Sequence, residues 1–250
     1  AKLPERFRVT AVCDLNQDLA RNLAAQTGAR STADIDNVLA DPDIDIVDIC
    51  LPPAMHVPVA IRVLETGKHA IVEKPVAGSL VEADQLIAAE ARSHGSLFPV
   101  FQYRYGKAFD QLAKLRAAGL PGLPVAATIE THWSRDKQYY TNLWRGSWSH
   151  ELGGAVLIHA IHAHDLLTQH FGAVADVAAV LTTNANPVET EDCAAISLRM
   201  ANGSLATSSI TLGAATDTTR LRFIYEHLTA ESGTAPYAPG IGEWHFTCLL

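Results

Sequence analysis

The stretch that most constrains this chain is Ala70-Ile71-Val72-Glu73-Lys74-Pro75, a short apolar run that stops abruptly on an acid, a base and a proline. Strands buried on both faces, as in parallel sheets, read as continuous rather than alternating apolar runs. Open α/β sheets bind ligands beyond the carboxyl ends of such strands, so this reading delivers Lys74 to a ligand-binding edge. The plain alternative is a surface lysine in an ordinary strand-to-helix loop, and the rest of the chain bears on the choice.

Around this stretch, strand and helix signals alternate. Arg8 to Cys13 predicts a strand, with Asp14 directly behind it. Asn16 can cap a helix running to about Thr27, with Leu19 and Leu23 on one face and Gly28 as its stop. Ile46 to Leu51 predicts the next strand, closed by Pro52-Pro53. A helix from about Val57 to Thr66 follows, with Ala60, Ile61 and Leu64 inward and Gly67 ending it. His69 to Glu73 is the lysine-bearing strand, and Ser79-Leu80-Val81-Glu82 has the form of a capping box opening a helix to about Ser93. Leu97 to Gln102 predicts the last strand. Regular alternation with near-continuous apolar strands argues for a doubly wound parallel sheet.

Asp14 suggests what such a sheet binds. In a dinucleotide-binding βαβ unit, an acid at the end of the second strand accepts hydrogen bonds from the adenosine ribose, whereas a following basic residue favours a 2'-phosphate. Here Leu15, Asn16 and Gln17 follow, so NAD is favoured over NADP. The bland role for such an Asp is a turn or cap. A glycine-rich phosphate loop belongs about 20 residues before that acid, yet 13 residues precede Asp14 and no GxGxxG occurs in the chain. Gly240 and Gly242 form a lone GxG that reads as a loop. The expectation is that Ala1 to Glu5 ends a crossover helix or its loop, with the first strand and phosphate loop upstream, and that the chain is a fragment.

Past Gln102-Tyr103-Arg104-Tyr105 a helix from Lys107 ends at Gly119, and Pro121, Gly122 and Pro124 mark a crossing into a different region. From there the pattern alternates. Val125, Ala127, Ile129, Thr131 and Trp133 point one way, with Glu130 and His132 opposite, as in an antiparallel strand with one wetter face. Ala194, Ile196, Leu198 and Met200 repeat the pattern, and Asn202-Gly203 supplies a hairpin turn into Leu205 to Leu212. Strands near Val174 to Leu181 and Leu221 to Tyr225 complete the reading, and Ser232 to Glu243 reads as a loop. The expected architecture is α/β plus α+β: a partial Rossmann-like parallel sheet over residues 1–121, then a mostly antiparallel sheet domain over residues 122–250.

Composition narrows the partners. With 48% hydrophobic residues in 250, the chain can bury a substantial core. The net charge of -8 is scattered with no basic run to neutralise phosphates, which argues against nucleic acid and for a small neutral or polar ligand. No stretch approaches the roughly 20 apolar residues of a membrane span. Cys13, Cys50, Cys193 and Cys248 are far apart and read as reduced core cysteines of an intracellular protein, so cytoplasmic is the default.

A second chemical cluster follows Gly153-Gly154. Ala155 to Phe171 reads as one helix carrying His159, His162, His164 and Asp165. At about 100° per residue, His162 and Asp165 share a face, His159 lies one turn earlier on nearly the same stripe, and His164 points away. A metal site at His159, His162 and Asp165, with His150 nearby, is a rival reading, but no HExxH accompanies it and no metal is assigned. A purely structural histidine helix is the other rival. Trp144-Arg145 and Trp148 read equally as a packed loop or a site element, and Tyr103, Arg104, Trp133 and Arg135 could line a sugar pocket or be structural.

Taken together, these motifs resemble the Gfo/Idh/MocA oxidoreductases, over about Phe7 to Ser232. Asp14 stands where that family's ribose-binding acid stands. Leu51-Pro52-Pro53 followed by His56 is similar to a post-strand loop whose histidine lies along the cofactor, and Glu73-Lys74-Pro75 to the family's signature tripeptide, whose lysine approaches nicotinamide and substrate and whose proline is typically cis. His162 matches the family's proton-accepting histidine. The family's Asp four residues before it is Ile158 here, and His159 could take over its substrate contact. The resemblance implies a hydride transfer between a nicotinamide cofactor and a sugar, inositol or related polyol, with Lys74 and His162 catalytic. It implies Asp14, Leu51, Pro52, Pro53, His56, Glu73, Lys74, Gln102, Trp144 and Arg145 at the cofactor. Lys74, Tyr103, Arg104, His159 and His162 would then contact the substrate, in a homodimer or homotetramer. A non-catalytic nucleotide- or sugar-binding regulatory protein on the same scaffold is the alternative.

Overall fold

The computed structural model describes residues 5–249, so the expectation for Ala1 to Pro4 lies outside the described residues. The chain divides into two compact units, one ending at Leu51 and resuming over Met55–Val100, the other holding Pro52–Ala54 and the chain from Phe101 onward.

In the first unit, β1 (Ala11–Cys13), α1 (Gln17–Thr27) and β2 (Arg30–Thr32) form a small parallel ribbon. The Asn16 side chain accepts from Asp18 N and Leu19 N, and Gly28 ends the helix at φ 70, a left-handed conformation that glycine adopts without cost. The inward face differs from expectation: Ala20 and Ala24 are buried while Leu19 and Leu23 are exposed, so the small residues make the close approach. β2 was also not expected. Arg-Ser-Thr has no apolar run, and it is a strand because the edge of β1 pairs it, with Arg30 N donating to Thr10 O and Asp14 N to Thr32 O.

Beyond α2 (Asp36–Leu39), three parallel strands form a second sheet in the order β3 (Ile46–Ile49), β4 (His69–Val72), β5 (Leu97–Pro99), linked by α3 (His56–Glu65) and α4 (Leu80–Arg92). Ser79 Oγ accepts from Glu82 N at 3.2 Å as a capping box requires, but Glu82 Oε2 reaches back to Gly78 N, one residue earlier than expected. Ile49, Ala60, Val63, Leu64, Ala70, Val72 and Leu86 close this core. At roughly 25 cal/mol per Å² of apolar area, burying each large aliphatic contributes about 1.5–3 kcal/mol.

The second unit begins with a 3-10 turn, Gln102–Arg104, and α5 (Lys107–Ala117). A seven-stranded sheet follows, in the order β12 (Trp244–Cys248), β11 (Leu228–Ser232), β10 (Gly213–Tyr225), β6 (Pro124–Ser134), β9 (Leu205–Thr211), β8 (Cys193–Met200), β7 (Val174–Thr182). Only β6 and β9 pair in parallel. Alternation decides which face packs: Ala127, Ile129 and Trp133 of β6 and Ala194, Ile196, Leu198 and Met200 of β8 are buried, and Gly203 turns the hairpin at φ 89. Val125 departs from that alternation and is exposed. α7 (Ile161–Phe171) contributes Leu166, Leu167 and Phe171 to this core. The loop after Ser232 returns as β12, an edge strand that pairing with β11 creates.

All four cysteines are free, but Cys13, Cys50 and Cys248 are exposed and Cys193 is half-buried, which corrects the core reading. They sit at strand ends, or on the face turned from the packing. No helix among the described residues is long and apolar enough to cross a membrane.

Candidate active site

The candidate residues fall in both units, and each group has its own local setting. At the carboxyl end of β1, Asp14 is exposed, its Oδ1 accepting from Asn16 N at 2.7 Å and its carbonyl from Gln17 Nε2 at 3.0 Å. The local turn therefore fixes the backbone and points the carboxylate outward. An outward-facing carboxylate can accept from both hydroxyls of a ribose diol, so Asp14 fits the adenosine end of a dinucleotide.

The ends of β3 and β4 are joined through one side chain. Leu51 is exposed, Pro52 and Pro53 turn the chain, and His56 opens α3 with only 1% of its surface exposed. Its Nδ1 lies 2.7 Å from Pro75 O and its Nε2 2.7 Å from Leu51 O. Both ring nitrogens are thus engaged within the unit itself. Glu73 N continues the β3–β4 ladder to Ile49 O at 3.1 Å, and the half-buried Glu73 and Lys74 follow. Glu73 Oε2 accepts from Lys74 N at 3.3 Å, and the Lys74–Pro75 peptide is cis.

In the second unit, Gln102 is exposed while Tyr103 is buried, its hydroxyl donating to Pro236 O at 2.6 Å. Its ring stacks on His162 with centroids 4.5 Å apart and planes 20° apart, and Phe101 meets His162 edge-on at 6.0 Å. Burial raises the Tyr103 phenol well above its ordinary pKa, so it stays protonated. Arg104 grips Asp165 with two bonds of 2.7 and 2.5 Å. That pairing removes the carboxylate from the rival metal reading, and no group of three or more His, Cys, Asp or Glu among the described residues is placed to hold a metal ion. His150 instead lies 2.8 Å from Ser149 Oγ.

The histidine helix is not continuous. Ala155–His159 is a π-helical turn closed by Ala160 N donating to Ala155 O at 2.9 Å, and the α-helix proper starts at Ile161. The wider turn takes more residues per turn and rotates less per residue, so His159 leaves the stripe of His162 that uniform helical spacing predicts; such bulges recur at functional sites. Glu191 holds the turn open. Its carboxylate accepts from Gly154 N at 3.1 and 3.0 Å and from Val156 N at 3.1 Å, and its carbonyl accepts from Ala155 N at 2.7 Å. A Cβ at residue 154 would lie 1.9 Å from Glu191 O, which is why glycine stands there.

His159 faces a different neighbourhood from His162. It meets Trp133 edge-on at 5.5 Å, and its Nε2 lies 3.1 Å from Tyr139 Oη. The Arg145 guanidinium sits between the Trp144 and Tyr139 rings, 4.2 Å from each centroid, donates to Tyr139 Oη and reaches Glu151 Oε1 at 3.2 Å. Tyr139 Oη thus links the Arg145 guanidinium to His159 Nε2 in one hydrogen-bonded chain. Burial is the largest influence on Tyr139 and raises its pKa. Leu152 just ahead holds φ 69, an unusual left-handed backbone for a branched residue. Trp133 donates to Thr219 Oγ1, Arg135 pairs with Asp217, and Trp148 donates to Glu189 O, so each is anchored by its own unit. His164 points elsewhere, its Nε2 2.9 Å from Ser208 Oγ, and Ile158 is buried.

Sequence reasoning missed Tyr139, Glu151 and Glu191. A buried acid needs a partner, so the Glu191-Asp192 pair at the head of an apolar strand was a usable signal. Tyr139 carried none.

Both parts of the chain match known proteins. Residues 2–101 match the GFO_IDH_MocA model, described as an oxidoreductase family with an NAD-binding Rossmann fold, and residues 109–231 match the GFO/IDH/MocA C-terminal domain. Levoglucosan dehydrogenase of Pseudarthrobacter phenanthrenivorans is 32% identical over 175 residues, 69% of this chain and 45% of that protein. An oxidoreductase of Synechocystis, sll0816, is 28% identical over 212 residues, 77% of this chain and 56% of that protein. The chain thus spans about half the length of these curated relatives. Among solved structures, the WlbA dehydrogenase from Bordetella pertussis in complex with NADH and UDP-GlcNAcA superposes with a TM-score of 0.89 at 28% identity, covering 97% of this chain and 70% of that one. Levoglucosan dehydrogenase in complex with NADH and L-sorbose shares the fold, with a TM-score of 0.85 at 23% identity, over 99% of this chain and 74% of that one. The parallel strands that end in Asp14 and Lys74, the sheet domain that follows them and the two matching models place this chain in the Gfo/Idh/MocA oxidoreductase family, with an NAD-binding Rossmann fold as its first part.

Proposed function

We propose that this protein transfers a hydride between NAD and the CH-OH group of a sugar, sugar derivative or polyol, with Lys74 and His162 as catalytic residues. The observation that carries the reading is the delivery of Lys74 to the carboxyl edge of the β3–β4–β5 sheet, directly after a strand whose Ala70 and Val72 are fully buried. Asp14 would hold the adenosine ribose. When bound, the nicotinamide supplies the hydride acceptor. His162 takes the hydroxyl proton as the alcohol is oxidised, a task that suits an imidazole, and the Lys74 ammonium stabilises the alkoxide that develops. Stacking on Tyr103 keeps the His162 ring in one plane, and the Arg145–Tyr139–His159 chain offers a second polar wall for substrate hydroxyls. The kinship with levoglucosan dehydrogenase and the WlbA dehydrogenase supports a carbohydrate as substrate. Exposed Val177, Val180 and Leu205 on the seven-stranded sheet support a homo-oligomer.

The test is NADH formation with a panel of sugars and polyols that includes levoglucosan, comparing the protein with Lys74→Ala and His162→Ala. Removing a positioned donor or general base costs about 10²- to 10⁴-fold in turnover. Rates within threefold of the unmutated protein in Lys74→Ala, with the fold intact by circular dichroism, would end the proposal.

A further inference from the structure

We propose that Glu191, through the π-helical turn it binds, is the positioning residue for His159, holding that side chain against Tyr139 and Trp133 and off the stripe of His162. Three consecutive amides at the head of the turn go to this one residue: Gly154 N and Val156 N to its side-chain oxygens at 3.0 to 3.1 Å, and Ala155 N to its carbonyl at 2.7 Å. Backbone N–H groups at a helix start have no partner within the helix, so whatever accepts from them fixes where the helix begins. Glu191 is itself fixed by the sheet. Asp192 N donates to Thr182 O at 3.1 Å and Leu212 N to Asp192 O at 2.8 Å, which ties this point of the chain between β7 and the residue leaving β9. The Asp192 side chain accepts from Asn184 N, Ala185 N and Asn186 N, and Thr190 and Asp192 on either side of Glu191 are buried.

The far end of the turn is fixed independently, because Leu166, Leu167 and Phe171 seat α7 in the core of the second unit. Residues 154–156 are pinned by Glu191 and α7 by that core. The segment between them closes with Ala160 N on Ala155 O, a span one residue longer than an α-helical turn takes. Burial of Ala155, Ile158 and Ala160 also holds the segment down, but apolar burial has no direction and does not set where the turn starts. Leu152, at φ 69 just ahead of the turn, is a costly conformation, and such conformations persist where the surroundings over-determine them. His159 is the last residue of the turn and takes its direction from this start, whereas His162 lies in α7 and stacks on Tyr103. The two histidines therefore rest on different supports. The kinetic half of the inference rests on the proposed hydride transfer with His159 beside the substrate, whereas the positioning half does not.

Two measurements separate these halves. Nuclear Overhauser spectra of the unmutated protein are expected to connect the His159 ring to Trp133 and Tyr139, and Glu191→Ala is expected to lose those contacts while keeping the one between Tyr103 and His162. Unchanged His159 contacts in Glu191→Ala would overturn the proposal. Glu191→Asp, one methylene shorter, withdraws its oxygens from the turn and supplies the same comparison where the alanine variant does not fold. In the NADH assay, Glu191→Ala and His159→Ala are each expected to lose about 10- to 100-fold in kcat/KM for the sugar with KM for NAD within about threefold, as misplacing a substrate contact does. Glu191→Gln, which keeps an oxygen in the Oε1 position, is expected to stay within about fivefold. Added to His159→Ala, Glu191→Ala is expected to cost less than about threefold more, because a residue that acts through a removed side chain has nothing further to lose. The same fold-loss in both backgrounds would overturn the role of Glu191 in the reaction. Absence of turnover in the unmutated protein would refute the hydride-transfer reading and leave the Overhauser contacts to decide Glu191.

Discussion

Replacing Glu191 by alanine tests whether the π-helical turn is held from outside. The carboxylate is buried and takes two backbone donors, Gly154 N and Val156 N, that the turn itself does not satisfy. Each bond to a charged acceptor contributes about 1.5–3 kcal/mol, and deleting the acceptor leaves both donors desolvated. Relief of the buried charge offsets part of this, so the expected net loss is about 2–5 kcal/mol. For a body of this size each kcal/mol lowers Tm by about 2–4 °C, a fall of roughly 4–20 °C. Glu191→Gln should lose less. Oε1 alone serves both donors, so an amide oxygen there keeps them, while the amide nitrogen at the Oε2 position opposes Gly154 N. Urea unfolding followed by tryptophan fluorescence suits the purpose, since Trp133, Trp144, Trp148 and Trp244 all lie in the second unit. A loss under about 0.5 kcal/mol in Glu191→Ala would refute the claim that this side chain shapes the turn.

Acid should destabilise the second unit before the carboxylates are fully protonated. Burial lowers His164 and His170 to about 4, with Arg116 adding to the effect at His170, so the fold binds their neutral forms. Their stabilisation is complete above the unfolded value near 6.5 and is lost as pH falls toward 4, by about 2 kcal/mol each at pH 5. A stability flat between pH 7 and 5 in urea titrations would contradict this, and His170→Gln should reduce the slope. Tyr103→Phe should cost only about 1 kcal/mol, because Pro236 O keeps its bond from Thr219 Oγ1 and the ring keeps its stack on His162. Unfolding midpoint and NADH formation measured together would show a stability loss with turnover within about threefold, and a large loss of turnover would give the hydroxyl a direct role.

Features governed by neighbours within a turn or two were legible in the sequence. The Asn16 and Ser79 caps, the Gly28 stop and the Asn202-Gly203 hairpin depend on contacts a few residues long, and alternation along β8 sorts its two faces by itself. The strand that carries Lys74 was legible as a short apolar run, although its burial alternates, with Ala70 and Val72 buried and His69 and Ile71 half-buried. Tertiary structure alone decided the rest. β2 is a strand because β1 lies beside it, and Leu19 and Leu23 face outward because two alanines allow α1 to approach more closely. Arg104 finds Asp165 across 61 residues, and the π turn that separates His159 from His162 depends on a glutamate more than 30 residues downstream. His56 was legible as part of a motif, but its direction was not. A motif records which residue types a site needs, whereas the atoms each one faces are set by chain segments that meet only once the core has formed.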